Sequence, residues 1–253
     1  MMKRLFFVLT LVLATFVHGA AQDAMEQANQ CYINGNYADA ANCYEQLLAE
    51  LPLTRQSRAE VLYNLGNARF KQGELAQAIL AYERSLRLNP SDKDTQYNLE
   101  FARTQIVDNI EDNRAFFFSS WAKSVRNLLA EPVWRWISIA CFFLMLAGAL
   151  LFALGRTTLL RKSAFHVAWI MLLVALVSGL NASSLHKRDT LQPEAIITQG
   201  VLTAKSSPDQ SGTDLFTLHE GTKVEIQETL GDWCNIRVAN NEGWILLSYL
   251  ERI

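Results

Sequence analysis

The sequence predicts a multi-domain chain that combines all-α helical repeats, two transmembrane α-helices and a small all-β barrel. Three observations support this fold class. The tetrapeptide Tyr63–Gly66 (YNLG) recurs as Tyr97–Glu100 (YNLE), 34 residues later. Two runs without a charge, 136–155 and 163–185, hold 20 and 23 residues. From residue 195 onward, polar and apolar residues alternate between Gly and Asn turns, which is typical of short β-strands.

Four residue types recur at one spacing in the first hundred residues. Gly, Ala, Tyr and Pro stand at the same offsets in two copies, as Gly35, Ala40, Tyr44 and Pro52 and again as Gly73, Ala78, Tyr82 and Pro90. A glycine ends one helix in a left-handed turn, a small residue lets two helices approach, and a proline stops the second helix. These residues predict two helical hairpins, at about 24–52 and 59–92. Because the copies lie 38 residues apart, we expect a longer first loop around 53–58.

The stretch 59–92 resembles the tetratricopeptide repeat, a 34-residue helix–turn–helix unit. The resemblance implies that the first helix of each hairpin lines a concave groove that binds peptides. Carried over by position, the groove residues are Tyr63, Asn64, Asn67, Phe70 and Lys71, with Tyr97 and Asn98 from the following helix. Asn side chains both donate and accept hydrogen bonds, which suits them to hold a peptide backbone. The alternative is that these side chains form a solvated face without a ligand.

The second YNL sequence begins a third helix, which we predict over residues 93–110. This helix has no partner helix in the sequence, so we expect it to cover the apolar face of the second repeat as a cap. The helical domain as a whole is predicted to span 22–112.

The N-terminal residues 1–21 predict a secretory signal peptide. Two basic residues precede a 13-residue apolar run at 5–17, and small residues follow at 19–21. We expect cleavage after Ala21, and the alternative is an uncleaved membrane anchor.

Charge is unevenly distributed along the chain. Residues 22–112 carry 8 basic and 14 acidic side chains, residues 113–192 carry 9 and 2, and residues 193–253 carry 4 and 9, which gives net charges of −6, +7 and −5. Acidic domains repel phosphate backbones, so we expect no nucleic-acid binding. Basic residues beside apolar runs instead indicate contacts with lipid headgroups.

The two uncharged runs predict transmembrane helices at 134–155 and 163–185. The loop between them, 156–162, carries three basic residues and no acidic one, so we predict that it is cytoplasmic. Together with the signal peptide, this orientation places both flanking domains outside the cytoplasm. Residues 113–132 predict an aromatic amphipathic helix in the membrane interface, and the alternative is a helix that binds in a partner's groove.

Residues 195–253 predict the small barrel. The pairs and triplets Gly221-Thr222, Gly231-Asp232-Trp233 and Gly243-Trp244 resemble signatures of the bacterial SH3-like domain. The resemblance implies a surface that binds peptides or cell-wall glycopeptide, with Trp233, Trp244 and Tyr249 as candidate ligand-binding residues. The alternative for Trp244 is that it closes the small core. Cys234 alternates with Ile236 and Val238, which indicates a position in the core.

We expect no enzymatic activity, no metal site and no cofactor. Beyond the signal peptide the chain has three histidines, one each in a predicted span, at a membrane edge and in the barrel: His166, His186 and His219. We cannot combine them with Ser, Asp or Cys into a catalytic set, and the sequence has neither a Gly-rich phosphate loop nor metal-ligand spacing. Cys31 and Cys43 are the only plausible disulfide pair, but we expect them at different heights in one hairpin and therefore unbonded.

The order of these parts resembles the BatE family of Bat aerotolerance-operon proteins. The stretches that carry the likeness are 63–90, 116–136 and 205–233. The resemblance implies an inner-membrane protein with its repeats and SH3-like module on the periplasmic side. It also implies membrane or periplasmic partner proteins, including von Willebrand factor A-domain proteins near a MoxR-type ATPase, and a role in oxidative or envelope stress.

Two functions follow as hypotheses. The first is a non-enzymatic adaptor that binds partner proteins through the repeats and the SH3-like module. The second is a membrane accessory protein that binds peptidoglycan through the barrel.

Overall fold

The computed structural model describes residues 22–108, 117–191 and 193–253. The chain divides into two compact units. One unit combines Met1–Arg114 with Pro193–Ile253, and the other is Ala115–Gln192. The predicted signal peptide and its cleavage site lie outside the described residues.

Four helices form two antiparallel hairpins in the first unit. Helix α1 covers 22–33, α2 covers Tyr37–Glu50, α3 covers Arg55–Lys71 and α4 covers Leu75–Leu88. Each hairpin turns at a glycine with positive φ, 80° at Gly35 and 81° at Gly73. Side chains with a Cβ atom rarely adopt this conformation, which explains why glycine stands at both turns.

The expected long loop at 53–58 is wrong, because the extra residues lengthen α3 instead. The Thr54 side chain accepts a hydrogen bond from the Ser57 amide at 3.1 Å and caps the helix. Arg55 then donates to the carbonyl oxygens of Leu88 at 2.9 Å and Arg87 at 3.0 Å. The extra turn of α3 thereby satisfies main-chain acceptors that the end of α4 leaves unpaired.

The helices of the second hairpin cross at a glycine. A Cβ atom at Gly66 would lie 2.5 Å from Cε1 of Tyr82, whose ring is buried. In the first hairpin, Ala28 and Tyr44 take the equivalent positions, and both are buried. The small residue and the aromatic ring therefore pack together in both repeats, as the sequence predicts.

Helix α5, Lys93–Arg103, covers the second repeat through Leu99 and Ala102, which are buried against α4. It ends earlier than the predicted 93–110, and turns follow through residue 107. The helix stops because the next residues bind elsewhere: Ile106 and Asp108 contact the C-terminal barrel. Residues 109–110 lie outside the described part of the chain.

Seven antiparallel strands form the C-terminal sheet, in the order β3-β2-β6-β5-β4-β1-β7. The strands are β1 Glu194–Ile197, β2 Val201–Lys205, β3 Asp214–His219, β4 Lys223–Leu230, β5 Trp233–Val238, β6 Asn241–Leu246 and β7 Leu250–Arg252, with a 3₁₀ turn at Leu247–Tyr249. Cys234, Ile236 and Val238 all lie in the buried core of this sheet. The prediction that Cys234 is a core residue is therefore confirmed.

The barrel packs directly against the second repeat, a contact that the sequence analysis did not predict. Strand β1 is buried on both faces: Ala195 and Ile197 belong to the barrel core. Ile196, between them, joins Ile253 in the cluster that holds Leu99 and the buried side of α4. We call this contact between α4, α5 and the barrel the repeat–barrel junction.

Ion pairs surround the apolar part of the repeat–barrel junction. The Arg84 guanidinium donates to the carbonyl oxygen of Arg252 at 2.6 Å and lies 3.1 Å from the Glu251 carboxylate. The Lys223 ammonium lies 3.1 Å from the Glu83 carboxylate, which is nearly buried. These contacts join α4 to strands β4 and β7 of the barrel and fix the position of the barrel on the repeat.

Asp108 attaches the segment after α5 to the barrel. Its carboxylate accepts hydrogen bonds from the His219 amide and the Thr222 hydroxyl, both at 2.7 Å, and lies 2.7 Å from Nδ1 of His219. Burial raises the pKa of Asp108, but the hydrogen bonds from Thr222 and His219 outweigh burial and lower it overall. Beside it, Gly221 has φ of +84°, and a Cβ atom there would lie 2.6 Å from Ile106. Only glycine therefore fits this close approach.

The described part of the second unit contains three helices: α6 Phe117–Arg126, α7 Glu131–Leu154 and α8 Thr158–Leu191. Helices α7 and α8 are long and apolar enough to cross a membrane. Most of the predicted loop 156–162 is helical, because the Thr157 hydroxyl accepts from the Leu160 amide at 3.3 Å and starts α8. The amphipathic helix predicted over 113–132 is shorter, and residues 113–116 lie outside the described ones.

The end of α6 and the residues just after it contact both long helices. Val125 and Leu129 pack against Trp134 of α7 and against Ala182 and Leu185 of α8. This side of the predicted interfacial helix is therefore covered by protein, while Trp121 is 61% exposed.

Candidate functional site

A groove of about 270 Å³ lies between α1, α3 and α5. We call it the repeat groove, and its lining residues are Tyr32, Asn67, Phe70, Lys71, Tyr82, Tyr97, Asn98 and Phe101. Five of the seven predicted groove residues are among them. Tyr63 lies next to the groove, where its hydroxyl accepts from the Asn98 amide at 3.4 Å. Asn64 is half-buried and is not a lining residue.

Two asparagines and a tyrosine form the polar floor of the repeat groove. Oδ1 of Asn67 accepts from the Tyr82 hydroxyl and from the Asn98 amide, each at 2.8 Å. Burial raises the pKa of Tyr82, so its hydroxyl stays a donor at neutral pH. The lone pairs of Asn67 thus serve the fold, while Nδ2 of Asn67 and Oδ1 of Asn98 make no hydrogen bond to the described residues.

The first repeat contains the same tyrosine–asparagine contact. The Tyr44 hydroxyl donates to Oδ1 of Asn29 at 2.7 Å, and burial raises the pKa of Tyr44 to about 12. Because Asn29 and Asn67 occupy equivalent positions and make the same contact, part of the role of Asn67 is structural. The sequence analysis assigned Asn67 to the groove alone and missed this role.

Aromatic side chains form the walls of the repeat groove. The rings of Phe70 and Phe101 lie 5.7 Å apart between centroids. Tyr97 is 71% exposed and Phe101 is 47% exposed, although both are large. Lys71 is exposed at the rim and forms no ion pair with any residue that the structure describes. The groove therefore offers apolar stacking surfaces, amide groups and one unneutralised cation.

Three lining residues were missed, and two of them had a signal in the sequence. Tyr32 precedes Phe70 by the same 38 residues that separate the two turn glycines, so the repeat alignment places it at the same wall. Phe101 lies one helical turn after Tyr97 and therefore on the same face of α5. Tyr82 was assigned to packing only, because the position of its hydroxyl depends on how α3 and α4 cross, which the sequence pattern does not show.

The barrel has a second aromatic surface, on the outer face of β5 and β6. Trp233 and Asn235 alternate with buried residues of β5, and Trp244 of β6 pairs with Asn235 across the strands. Both tryptophans are half-buried. Oδ1 of Asn235 is shielded from solvent and has no hydrogen-bond partner among the described residues. We call Trp233, Asn235 and Trp244 the barrel aromatic face.

The remaining barrel predictions have mixed outcomes. Trp244 does not belong to the core cluster, so it does not close the core as the alternative proposed. Tyr249 packs against that core, and its carbonyl oxygen accepts from the Thr198 amide at 3.0 Å. Its side chain thus serves packing in addition to any role at the surface.

The histidine and cysteine of the barrel have structural partners. His219 is held by Asp108 at the repeat–barrel junction. Cys234 is fully buried, and burial raises its pKa to about 11, which leaves the thiol protonated and poorly nucleophilic. In the described part of the chain, no three His, Cys, Asp or Glu side chains are grouped so that they could hold a metal ion.

Comparison with protein families identifies two modules. Residues 59–92 match the tetratricopeptide repeat, and residues 200–251 match the bacterial SH3 domain. No curated protein matches the chain. Both modules typically mediate protein–protein or cell-wall binding and carry no catalysis. The chain therefore combines a tetratricopeptide repeat, two helices able to span a membrane and a bacterial SH3 domain.

Proposed function

We propose that this chain is a non-enzymatic membrane adaptor whose repeat groove binds an extended segment of a partner protein. The observation that carries the proposal is the repeat groove itself, an open cavity of about 270 Å³ between three helices. A cavity of this size accommodates a few side chains rather than a folded domain.

The chemistry of the groove favours a segment with apolar and acidic side chains. Exposed rings at Tyr97 and Phe101 offer stacking surface. Lys71 offers a cation that the described residues do not neutralise. The free atoms of the Asn67 and Asn98 amides can pair with the main chain of the segment. A partner segment with aromatic or aliphatic residues near an Asp or Glu fits this arrangement.

The location that we propose is the inner membrane, with the repeats and the barrel on the periplasmic side. The repeats and the barrel pack together, although α7 and α8 separate them in sequence. Two domains in contact lie on one side of a membrane, which agrees with an even number of spans between them. The signal sequence and the basic residues between the spans favour the periplasmic side.

The resemblance to the BatE family suggests the setting of this adaptor. Its partners would be Bat-type proteins with von Willebrand factor A domains, and its role would concern aerotolerance or envelope stress. Co-purification from detergent-solubilised membranes tests this setting, and recovery of unrelated partners only would contradict it.

The groove is tested by two exposed substitutions in the full chain, Tyr97→Ala and Lys71→Glu. Neither side chain is buried, so each variant should fold while binding falls at least tenfold, or about 1.4 kcal/mol. Co-purification of membrane partners measures the effect. The matched control outside the groove is Leu215→Ala, which removes an exposed apolar side chain of the barrel. Unchanged recovery in both groove variants would contradict the proposal.

A second function, binding of peptidoglycan, is favoured by the barrel aromatic face. Two half-buried tryptophans lie on this face of β5 and β6, and aromatic rings of this kind can stack a sugar ring. Sedimentation of the full chain in detergent with purified cell wall tests this function. We expect loss of sedimentation with Trp233→Ala but not with Leu215→Ala if the face binds cell wall.

A further inference from the structure

Two cysteines face each other in the first repeat. Cys31 lies on α1 and Cys43 on α2, and both are partly buried against the same apolar cluster. Burial, and next the adjacent Cys31 thiol, raise the pKa of Cys43. The two sulfur atoms are therefore close enough to affect one another.

The geometry of the hairpin explains their proximity. The Tyr44 hydroxyl donates to Asn29 at 2.7 Å, so residue 44 of α2 lies level with residue 29 of α1. Cys31 lies two residues after Asn29, and Cys43 lies one residue before Tyr44. Because the helices are antiparallel, both steps lead toward the turn, so the two cysteines lie at similar heights in the hairpin. The expectation that they lie at different heights is wrong.

We propose that Cys31 and Cys43 are a disulfide-forming pair that links α1 to α2. Formation proceeds by exchange with an external disulfide, such as oxidised glutathione or a disulfide oxidoreductase. One thiolate attacks a sulfur of the oxidant, forms a mixed disulfide and releases one thiol of the oxidant. The second thiolate then attacks the mixed disulfide, forms the Cys31–Cys43 bond and releases the other thiol. Two protons leave the cysteines, and the oxidant takes up two electrons.

The bond would act at the first helix of the described helical stack. Helix α1 forms one end of that stack and packs on α2 and α3 through the first-repeat cluster. A disulfide between helices of one hairpin restricts the unfolded chain and holds α1 in place. Since Tyr32 on α1 lines the repeat groove, the bond would also fix one wall of that groove.

The other two cysteines make the pairing easy to assign. Cys234 is fully buried in the barrel, and Cys141 lies within α7. Neither belongs to the first-repeat cluster. Both therefore serve as internal controls that should remain thiols.

The experiment treats the purified full chain in detergent with oxidised glutathione, blocks remaining thiols after denaturation and maps the peptides by mass spectrometry. We expect a linked peptide containing Cys31 and Cys43, with Cys141 and Cys234 blocked as free thiols. The thermal unfolding midpoint should rise by several degrees on oxidation, and Cys31→Ser should abolish both the linked peptide and the rise.

Two results would overturn the proposal: both thiols remaining free under the oxidant, or each carrying its own glutathione without a link between them. The experiment uses purified protein and involves no partner. Its outcome is therefore independent of the groove and of the side of the membrane on which the repeats lie.

Discussion

The second repeat has two faces with opposite roles. On one face, Tyr97, Phe101 and Lys71 remain exposed around an open groove. On the other, α4 and α5 bury apolar side chains against Ile196 and Ile253 of the barrel, and α4 also forms ion pairs with the barrel. The same 11-residue helix, α5, contributes to both. The face covered by the barrel serves the fold, and the open face is the one at which we propose that a partner binds.

The largest effect on stability should follow from removing the apolar contact of the repeat–barrel junction. Ile196 is fully buried, so Ile196→Ala should cost about 2–4 kcal/mol of the free energy of unfolding. Chemical denaturation of the full chain in detergent measures this cost. Val201→Ala, at a residue that is 67% exposed in the same barrel, is the control and should change little. Equal effects of the two variants would show that the junction contributes nothing.

The Asp108 contact should make the next largest contribution to the free energy of unfolding, and this contribution should depend on pH. Asp108→Asn replaces the carboxylate that accepts hydrogen bonds from His219 and Thr222. This change should cost about 1–3 kcal/mol of the free energy of unfolding at neutral pH. Because the folded-state pKa of Asp108 is lowered, its stabilisation is present above the unfolded pKa of about 3.8. This stabilisation is lost as the pH falls through the lower pKa that Asp108 has in the folded state.

The measurement is the free energy of unfolding of wild type and Asp108→Asn as a function of pH. The difference between them should be constant near neutral pH and should shrink in the acidic range below the unfolded pKa. A difference that grows on acidification would contradict the assigned role of the carboxylate.

Two glycines with the same backbone conformation allow the cost of backbone strain to be distinguished from the cost of a steric clash. Gly73 and Gly221 have φ of 81° and 84°, but a Cβ atom meets nothing within 4 Å at Gly73 and meets Ile106 at 2.6 Å at Gly221. Gly73→Ala should cost about 1–2 kcal/mol from strain alone. Gly221→Ala should cost at least about 1 kcal/mol more, because Ile106 must move. Equal costs, measured by denaturation, would mean that the segment after α5 is not seated on the barrel.

The smallest effects should come from the asparagines of the two repeats. Asn67→Ala should destabilise the chain by about 1–2 kcal/mol, since it leaves the buried Tyr82 hydroxyl without an acceptor. Asn29→Ala removes the equivalent acceptor of Tyr44 and should cost a similar amount. If only Asn67→Ala also weakens partner binding, the amide contributes to the groove beyond its structural role. If both variants weaken binding equally, the loss reflects stability.

Most of the architecture could be predicted because its signals are local. Turn glycines, a small residue opposite an aromatic ring, long uncharged runs and strand alternation each act within a few residues. The repeat–barrel junction could not be located in this way, because Ile196 and the face of α4 lie more than a hundred residues apart in sequence. One indication was present: strand β1 carries Ala195, Ile196 and Ile197 in succession, and a strand without alternation is typically covered on both faces.

The same reasoning explains the errors in the candidate site. Tyr97 and Phe70 line the groove and Asn64 does not, and partner binding by these residues stays a prediction. Helix α5 was predicted too long because the sequence pattern does not reveal that Asp108 binds the barrel. The cysteine heights were misjudged because the level of two antiparallel helices depends on how tightly the hairpin turns.

The most direct test of the two-face account is site-specific photo-cross-linking in intact membranes. A photoreactive amino acid replaces Tyr97 in the groove in one sample and Arg84 at the repeat–barrel junction in another. The account predicts a cross-link to a second protein at position 97, lost when Lys71→Glu is added, and only an internal link to the barrel at position 84. A cross-link to another protein at position 84, with none at position 97, would contradict it.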